Sequence, residues 1–596
     1  MSFHEEEVLG KAYDARLMRR LMGYLRPYKG QAIGALAAII VNSFLQLGQP
    51  YLTKLAIDQY IAQGDLSGLD WIAVAFLGIL VGSFLLEYVQ TYTMQLVGQR
   101  IMYDLRMQIY GHLQRIDVRF YDRNPVGRLM TRVTSDVDVL NELFTGGVVA
   151  VFGDVFTLVG IMAVLLFMDW RLALIAFSVL PLIVVVTQWF RRHVRESYRT
   201  VRLWIARINA FLQEHITGMA TVQLFRREAA SFARFDEINR THRDANVDSI
   251  FYYAVFYPAI EIVASIAAAL IIWYGGGWVL QGTLTLGALV AFLQYAQRFF
   301  RPISDMSEKF NILQASMASS ERIFKLLDEP VAITSPTPGR SHASGPGAIV
   351  FENVWFAYNG QDWVLKDVSF RVQPGERMAI VGATGAGKTT IINLLMRFYD
   401  VSRGRILIDG VDIRERDLQE LRSQFSLVLQ DVHLFSGTIA GNIRLGDTTI
   451  DDERVRRAAK SVHADRFIDL LPSGLQSPVA ERGATLSVGQ KQLLSFARAL
   501  AFDPRILVLD EATSSVDTET ELLIRDALHI LMADRTTIAI AHRLSTIQDM
   551  DRIIVLHKGE LREIGTHQEL LARRGLYFKL YQLQYKEQEE TTAARE

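Results

Sequence analysis

The chain has no cysteine. Disulfides, thiolate metal sites and a cysteine nucleophile are therefore excluded, and nothing here reports on a redox compartment. Charge bias is missing as well. The net charge is −1, and no basic tract is interleaved with aromatics, so nothing marks a nucleic-acid surface and no nucleic-acid partner is expected. The first residues, Met1–Asp14 (MSFHEEEVLGKAYD), are acidic and polar where a cleavable signal peptide would be basic and then apolar, so none is expected. What is present in quantity is apolar surface: 50% of the 596 residues are hydrophobic and 21% charged. That length exceeds a single core, and the mixture points to a membrane part joined to a soluble one.

Six apolar stretches precede residue 330: Ala32–Ile57, Trp71–Thr93, Thr145–Met168, Leu172–Trp189, Phe251–Tyr274 and Leu286–Phe300. Most reach the ~20 residues that cross a bilayer core. The sixth is interrupted by Gln294, Gln297 and Arg298, and is retained because an even count puts both soluble ends on one side. Charge orients them. The segment after the second span carries Arg100, Arg106, Arg115, Arg119, Arg123, Arg128 and Arg132, and the one after the fourth runs from Arg191 to Arg243. The opposite connections hold one basic residue, Arg171. The N-terminus, both long connections and the C-terminal half are expected in the cytoplasm, with the spans in the inner (cytoplasmic) membrane.

Residues 14–29 space Leu17, Leu21 and Leu25 four apart among arginines. This reads as an amphipathic helix, lying either on the membrane surface or against protein. From Trp71 to Arg115 no proline interrupts a helical pattern. Those residues make roughly 68 Å of helix against a ~30 Å hydrocarbon core, so the helix should reach far into the cytosol. It should turn near 118–128, where Asn124-Pro125 and Gly127 supply turn chemistry. A second arm should turn near Gly218, within 211–226. Glu87, Gln90, Asp154, Gln188, Glu261, Gln294 and Arg298 are expensive in lipid. They read either as lining of a substrate path or as interhelical hydrogen bonding.

Residues 329–347, rich in Pro, Ser and Gly, separate a transmembrane domain (1–328) from a second domain (348–585), and 586–596 reads as a disordered tail. In the second domain strand-like runs alternate with helical ones, as in a nucleotide-binding α/β core. Gly382–Thr389 reads GATGAGKT between the strand-like MAIV and the helix-like IINLLMRF. Gly382, Gly385 and Gly387 let backbone N–H groups curl around an anion, Lys388 reaches phosphate, and Thr389 offers its hydroxyl to Mg²⁺. A nucleoside triphosphate is the expected ligand. Ile506–Glu511 (ILVLDE) is an apolar strand ending in two acids: Asp510 suits Mg²⁺ and Glu511 an attacking water. His542 and Gln430 each follow an apolar strand. His542 is placed for a γ phosphate unless it is structural, and Gln430 for Mg²⁺ or the water. Tyr358 offers a ring for adenine.

In these motifs the chain resembles the ATP-binding cassette exporters of the multidrug and lipid-flippase group, over nearly its whole length. The resemblance rests on GATGAGKT (382–389), Gln430, LSVGQ (486–490), ILVLDE (506–511), SSVD (514–517) and His542, and on AERG (480–483) with the two arm tips. It implies a multidomain membrane protein: an all-α six-helix transmembrane domain with long intracellular arms, plus an α/β P-loop nucleotide-binding domain. It implies ATP and Mg²⁺ as cofactors, and hydrophobic or lipid molecules as cargo within the membrane. The implied ATP-binding residues are Tyr358, Gly382, Thr384, Gly385, Ala386, Gly387, Lys388, Thr389, Thr390 and Asp517, with Ser487, Gly489 and Gln490 from the facing chain's surface. Thr389, Gln430 and Asp510 are the implied metal ligands, and Glu511, His542 and Gln430 the catalytic set.

The same resemblance implies a second half-transporter chain, with two ATPs between paired cassettes. Position 488 is Val where the group has Gly. A branched residue there is expected to perturb the backbone that meets phosphate. With Glu511 and His542 retained, this favours a heterodimer slightly over a homodimer. An ATP-gated channel or regulatory subunit is the alternative function. An importer is disfavoured, because spans and cassette are fused.

Overall fold

In the computed structural model the described residues are 14–336, 345–510, 518–541 and 544–583. The chain divides into two compact units, one of residues 1–114 and 126–329, the other of 115–125 and 330–596.

The first unit is helical. Helix α1 (Ala15–Gly23) starts on Asp14, whose carboxylate accepts from the Arg16 and Leu17 amides, and it stops at Gly23. That is shorter than the expected 14–29, because a 3₁₀ turn carrying Pro27 follows at Arg26–Tyr28. α1 packs on protein. Leu21 is fully buried, Arg20 grips Asp328 with two bonds of 2.7 and 2.8 Å, and Arg20 also lies 4.2 Å over the Phe324 ring. α2 (Lys29–Leu55) and α3 (Leu66–Leu113) follow. The 48 residues of α3 make about 72 Å of helix, close to the length read from the sequence.

Beyond α4 (Val118–Arg123) come α5 (Val126–Val133), α6 (Ser135–Glu142) and α7 (Val148–Met168). The expected fourth span lies within the apolar stretch Trp170–Thr217, but its helix is interrupted. α8 (Trp170–Phe177) ends before Val179, and α9 (Leu180–Thr217) restarts with Pro181 in its first turn, the helical position where a missing N–H costs nothing. Gly218 caps α9, α10 (Met219–Leu224) forms the second tip, and α11 (Glu228–Leu270) returns. α12 (Gly276–Leu280) and α13 (Leu286–Leu327) complete the unit.

Among the described residues, five helical stretches are long and apolar enough to cross a membrane: Arg26–Ile61, Gly68–Leu113, Val126–Met168, Trp170–Thr217 and Glu228–Leu280. The expected sixth lies inside α13 and is helical, but Gln294, Gln297 and Arg298 keep it out of that set.

The described residues of the second unit form two larger sheets and one two-stranded pair. β1 (Ile349–Ala357), β2 (Trp363–Val372), β4 (Arg403–Ile408) and β5 (Val411–Asp412) form an antiparallel sheet in the order β2-β1-β4-β5. The larger sheet uses β3 (Arg377–Val381), β6 (Phe425–Val428), β9 (Ile506–Asp510), β10 (Thr536–Ile540), β11 (Arg552–His557) and β12 (Glu560–Gly565), ordered β12-β11-β3-β10-β9-β6. β7 (Gly437–Thr438) and β8 (Pro478–Val479) pair separately. β11, β3, β10, β9 and β6 run parallel, and every residue of β10 is buried, as expected of a sheet covered on both faces.

Candidate nucleotide site

Register sets the site. Val381 ends β3 opposite Val555, Asp510 ends β9 opposite Ile540, and Val428 ends β6 opposite Leu509. The loop after β3, Asp510, and Gln430 two residues beyond β6 therefore share the C-terminal edge of one parallel sheet, where such folds bind ligands.

The loop Gly382–Gly387 feeds α14 (Lys388–Leu395) through Gly387, at φ +104°. A Cβ there would sit 2.6 Å from Leu365 Cδ2, so only glycine fits without displacement. Thr384, Gly385 and Thr389 are exposed, whereas Ala386, Lys388 and Thr390 are buried. Lys388 Nζ donates to Gly382 O at 2.8 Å and to Ala383 O at 3.2 Å. Burial pushes its ammonium below the ordinary lysine range, and the nearby Asp510 charge opposes that shift. A cation folded over its own loop, at the N-terminus of a helix, is built for an anion. Asp510 and the Thr389 hydroxyl are oxygen donors of the kind Mg²⁺ takes, and the exposed Gln430 amide is a third.

Tyr358 does not stand free. Its ring meets Phe356 (4.8 Å) and Tyr399 (5.1 Å) edge-on, and its hydroxyl lies 3.2 Å from Thr390 Oγ1. Ser487 caps the helix Val488–Ala501: its hydroxyl accepts from the Gln490 amide at 3.2 Å, and the Gln490 side chain accepts from the Ser487 amide at 3.0 Å. Val488 occupies the first helical position, and its side chain is 56% exposed. The expected backbone disturbance is absent, because a helix start asks for no left-handed residue. Gly489 is buried beside it. Three turns along, Arg498 donates to Asn442 O at 2.9 Å and to His433 O at 3.2 Å, tying the segment after Gln430 to this helix. Glu511, Asp517 and His542 lie outside the described residues.

Sequence reasoning missed how the first tip is held. Asp117 caps α4. Arg119 donates to Tyr358 O at 3.3 Å, Arg123 to Asn359 Oδ1 at 2.8 Å, and the Tyr399 hydroxyl to Asp122. These partners lie more than 230 positions apart in the chain, and no local pattern encodes such pairs.

A helical membrane domain fused to a phosphate-binding α/β cassette defines a class of nucleotide-driven membrane machine. The sequence matches the ABC transporter transmembrane region family over residues 33–303 and the ABC transporter family over 365–514. It is 38% identical over 540 residues to the "Probable multidrug resistance ABC transporter ATP-binding/permease protein YheH" of Bacillus subtilis (89% of this chain, 79% of that one). It is 36% identical over 571 residues to an "ATP-dependent lipid A-core flippase" of Syntrophus aciditrophicus (96% and 95%). A bacterial Atm1-family ABC exporter solved with ATP bound superposes with a TM-score of 0.78, at 29% identity, over 96% of this chain and 99% of that one. The chain belongs to the ABC transporter family. It is an exporter half-transporter, a multi-pass membrane protein whose cassette binds ATP and couples its hydrolysis to transport, and it works as a dimer.

Proposed function

We propose that this chain exports or flips hydrophobic and amphipathic compounds, drugs or lipids, out through the inner membrane, with the cassette in the cytoplasm and α13 as a sixth crossing. The observation that carries the reading is the single sheet edge shared by the phosphate loop, Asp510 and Gln430, in a chain whose other unit is built from spanning helices. Thr389, Asp510 and Gln430 hold Mg²⁺, which neutralises phosphate charge when bound. Lys388 and the Gly382–Gly387 amides cradle the phosphates, together with Thr384, Ala386 and Thr390 as loop and helix start. The Tyr358 ring takes adenine. Glu511 orients and deprotonates the attacking water, with His542 at the γ phosphate.

Ser487, Gly489 and Gln490 complete the site of the facing cassette. Val488 supports a non-identical partner on new grounds. Its backbone is ordinary, so the difference from glycine is a branched side chain, 56% exposed, on the surface turned to that site. Glu511→Gln is expected to leave ATP binding intact and to lower turnover about a hundredfold or more. Wild-type hydrolysis by the purified, reconstituted variant would remove Glu511 from the role of base.

A further inference from the structure

Pro50 sits inside α2. It has no N–H, so the Gln46 carbonyl four residues earlier loses its helical partner. Arg298 on α13 supplies one: Nη1 donates to Gln46 O at 2.7 Å, and Nη2 donates to Gln49 Oε1. One turn back, the Tyr295 hydroxyl donates to Leu47 O. Every acceptor in this knot is neutral. Arg298 lies twelve residues after Leu286, about 18 Å along the helix. In a crossing of ~30 Å that is well inside the hydrocarbon.

A cation at that depth pairs with an opposite charge or with backbone carbonyls, and here it has the Gln46 carbonyl and the Gln49 side-chain amide but no opposite charge. Among the described residues no carboxylate contacts Arg298. Positions 294, 295, 301 and 302, which a helical pair would use, hold Gln, Tyr, Arg and Pro. The other intramembrane charges are differently disposed. Lys309 and Asp154 pair with each other. Asp58 caps the start of α13 through Thr285 Oγ1 (2.6 Å) and the Gly287 amide (2.8 Å). No contact joins Glu87 or Glu261 to Arg298. The clamp uses two of the five N–H donors of a guanidinium, and the residue is only partly buried. Further along α2, the Ser43 hydroxyl accepts from Thr157 Oγ1 of α7 at 3.2 Å, and Asn42, 7% exposed, has no partner for its Oδ1 among the described residues.

We propose that this α2–α13 seam is the anion-reading part of the substrate path, and that Arg298 pairs with the carboxylate or phosphate head of an exported amphiphile. The assignment rests on the exporter reading and narrows its cargo to anionic amphiphiles. The head completes an ion pair that the protein leaves half built, while the chain of the amphiphile stays among apolar helix faces.

The test is equilibrium binding to the full-length protein, with whatever partner chain it requires, in nanodiscs of neutral phosphatidylcholine without ATP. The probes are dodecanoate, monododecyl phosphate, dodecanol and dodecylamine. Wild type is expected to bind one or both anionic heads on the order of tenfold more tightly than dodecanol, as a charge-assisted bond predicts. Which anionic arm is tighter separates carboxylate from phosphate cargo. Arg298→Gln can still donate to Gln46 O and should bind the anionic probes no better than dodecanol. Arg298→Lys and Gln297→Ala should retain the preference. Wild type without an anion preference, or Arg298→Gln that keeps one, overturns the assignment. ATP hydrolysis is measured on the same samples. Anion-selective binding without turnover in any condition would overturn the exporter reading and leave the anion site standing.

Discussion

Arg416 is 1% exposed and, among the described residues, makes one hydrogen bond, Nη2 to Ile408 O at 2.8 Å, while Nε and Nη1 have no partner there. Each orphaned buried donor costs about 1–3 kcal/mol, and the bond that is made contributes about 0.5–1.5 kcal/mol. An unbranched apolar side chain removes both orphans and loses one bond. Arg416→Met is therefore expected to stabilise the protein by roughly 1–4 kcal/mol, read as a higher thermal midpoint of the full-length chain in nanodiscs. A lower midpoint would mean that the guanidinium is satisfied after all. Nothing in Asp412–Arg422 (DIRERDLQELR) singles this arginine out. Arg414 pairs with Asp412, and Arg422 donates to Arg397 O at 3.0 Å, so only the fold separates the three. Gly387 is the opposite case. Its left-handed backbone is demanded by the phosphate-loop spacing itself, and the sequence alone marked the position.

Elements were legible where one periodicity ran without competition. The parallel strands β3, β6, β9, β10 and β11 are short apolar runs buried on both faces, so composition exposes them. β4 and β12 are partly exposed and carry Arg403, Arg405, Glu560, Arg562 and Glu563 within the strand, which hides them in a polar background. α3 was readable from an unbroken helical pattern, and the break before α9 was masked by the apolar run around Pro181. The first tip was legible as a turn, but its grip was not. Tyr399 is 6% exposed and gives its hydroxyl to Asp122, and desolvation together with that carboxylate raises the phenol well above its usual range. A hydrogen bond to a charged acceptor contributes about 1.5–3 kcal/mol. Tyr399→Phe keeps the ring packing against Tyr358 and removes only that bond. The expected result is a several-fold fall in the ratio of substrate-stimulated to basal ATP hydrolysis, with nucleotide affinity within about twofold of wild type. An unchanged ratio would show that the tip transmits nothing through this tyrosine.

At the scale of the whole molecule, the phosphate loop and the Ser487 helix belong to one chain but, in the proposed dimer, serve different ATP sites. Two-fold symmetry makes that separable. Lys388→Ala damages the loop, and Ser487→Arg puts a long cation where the facing phosphate should be capped. Each variant alone leaves both sites of a homodimer with one defective half. In a mixed dimer both lesions fall in the same site, and the other site is wholly wild type. Coexpression in equal amounts is therefore expected to restore roughly a quarter of wild-type hydrolysis, since half the dimers are mixed and each has one good site. No recovery above the single variants, in a wild-type chain that hydrolyses ATP alone, would mean that loop and Ser487 helix act within one chain. A wild-type chain inactive by itself and activated by a different half-transporter would instead identify the proposed non-identical partner.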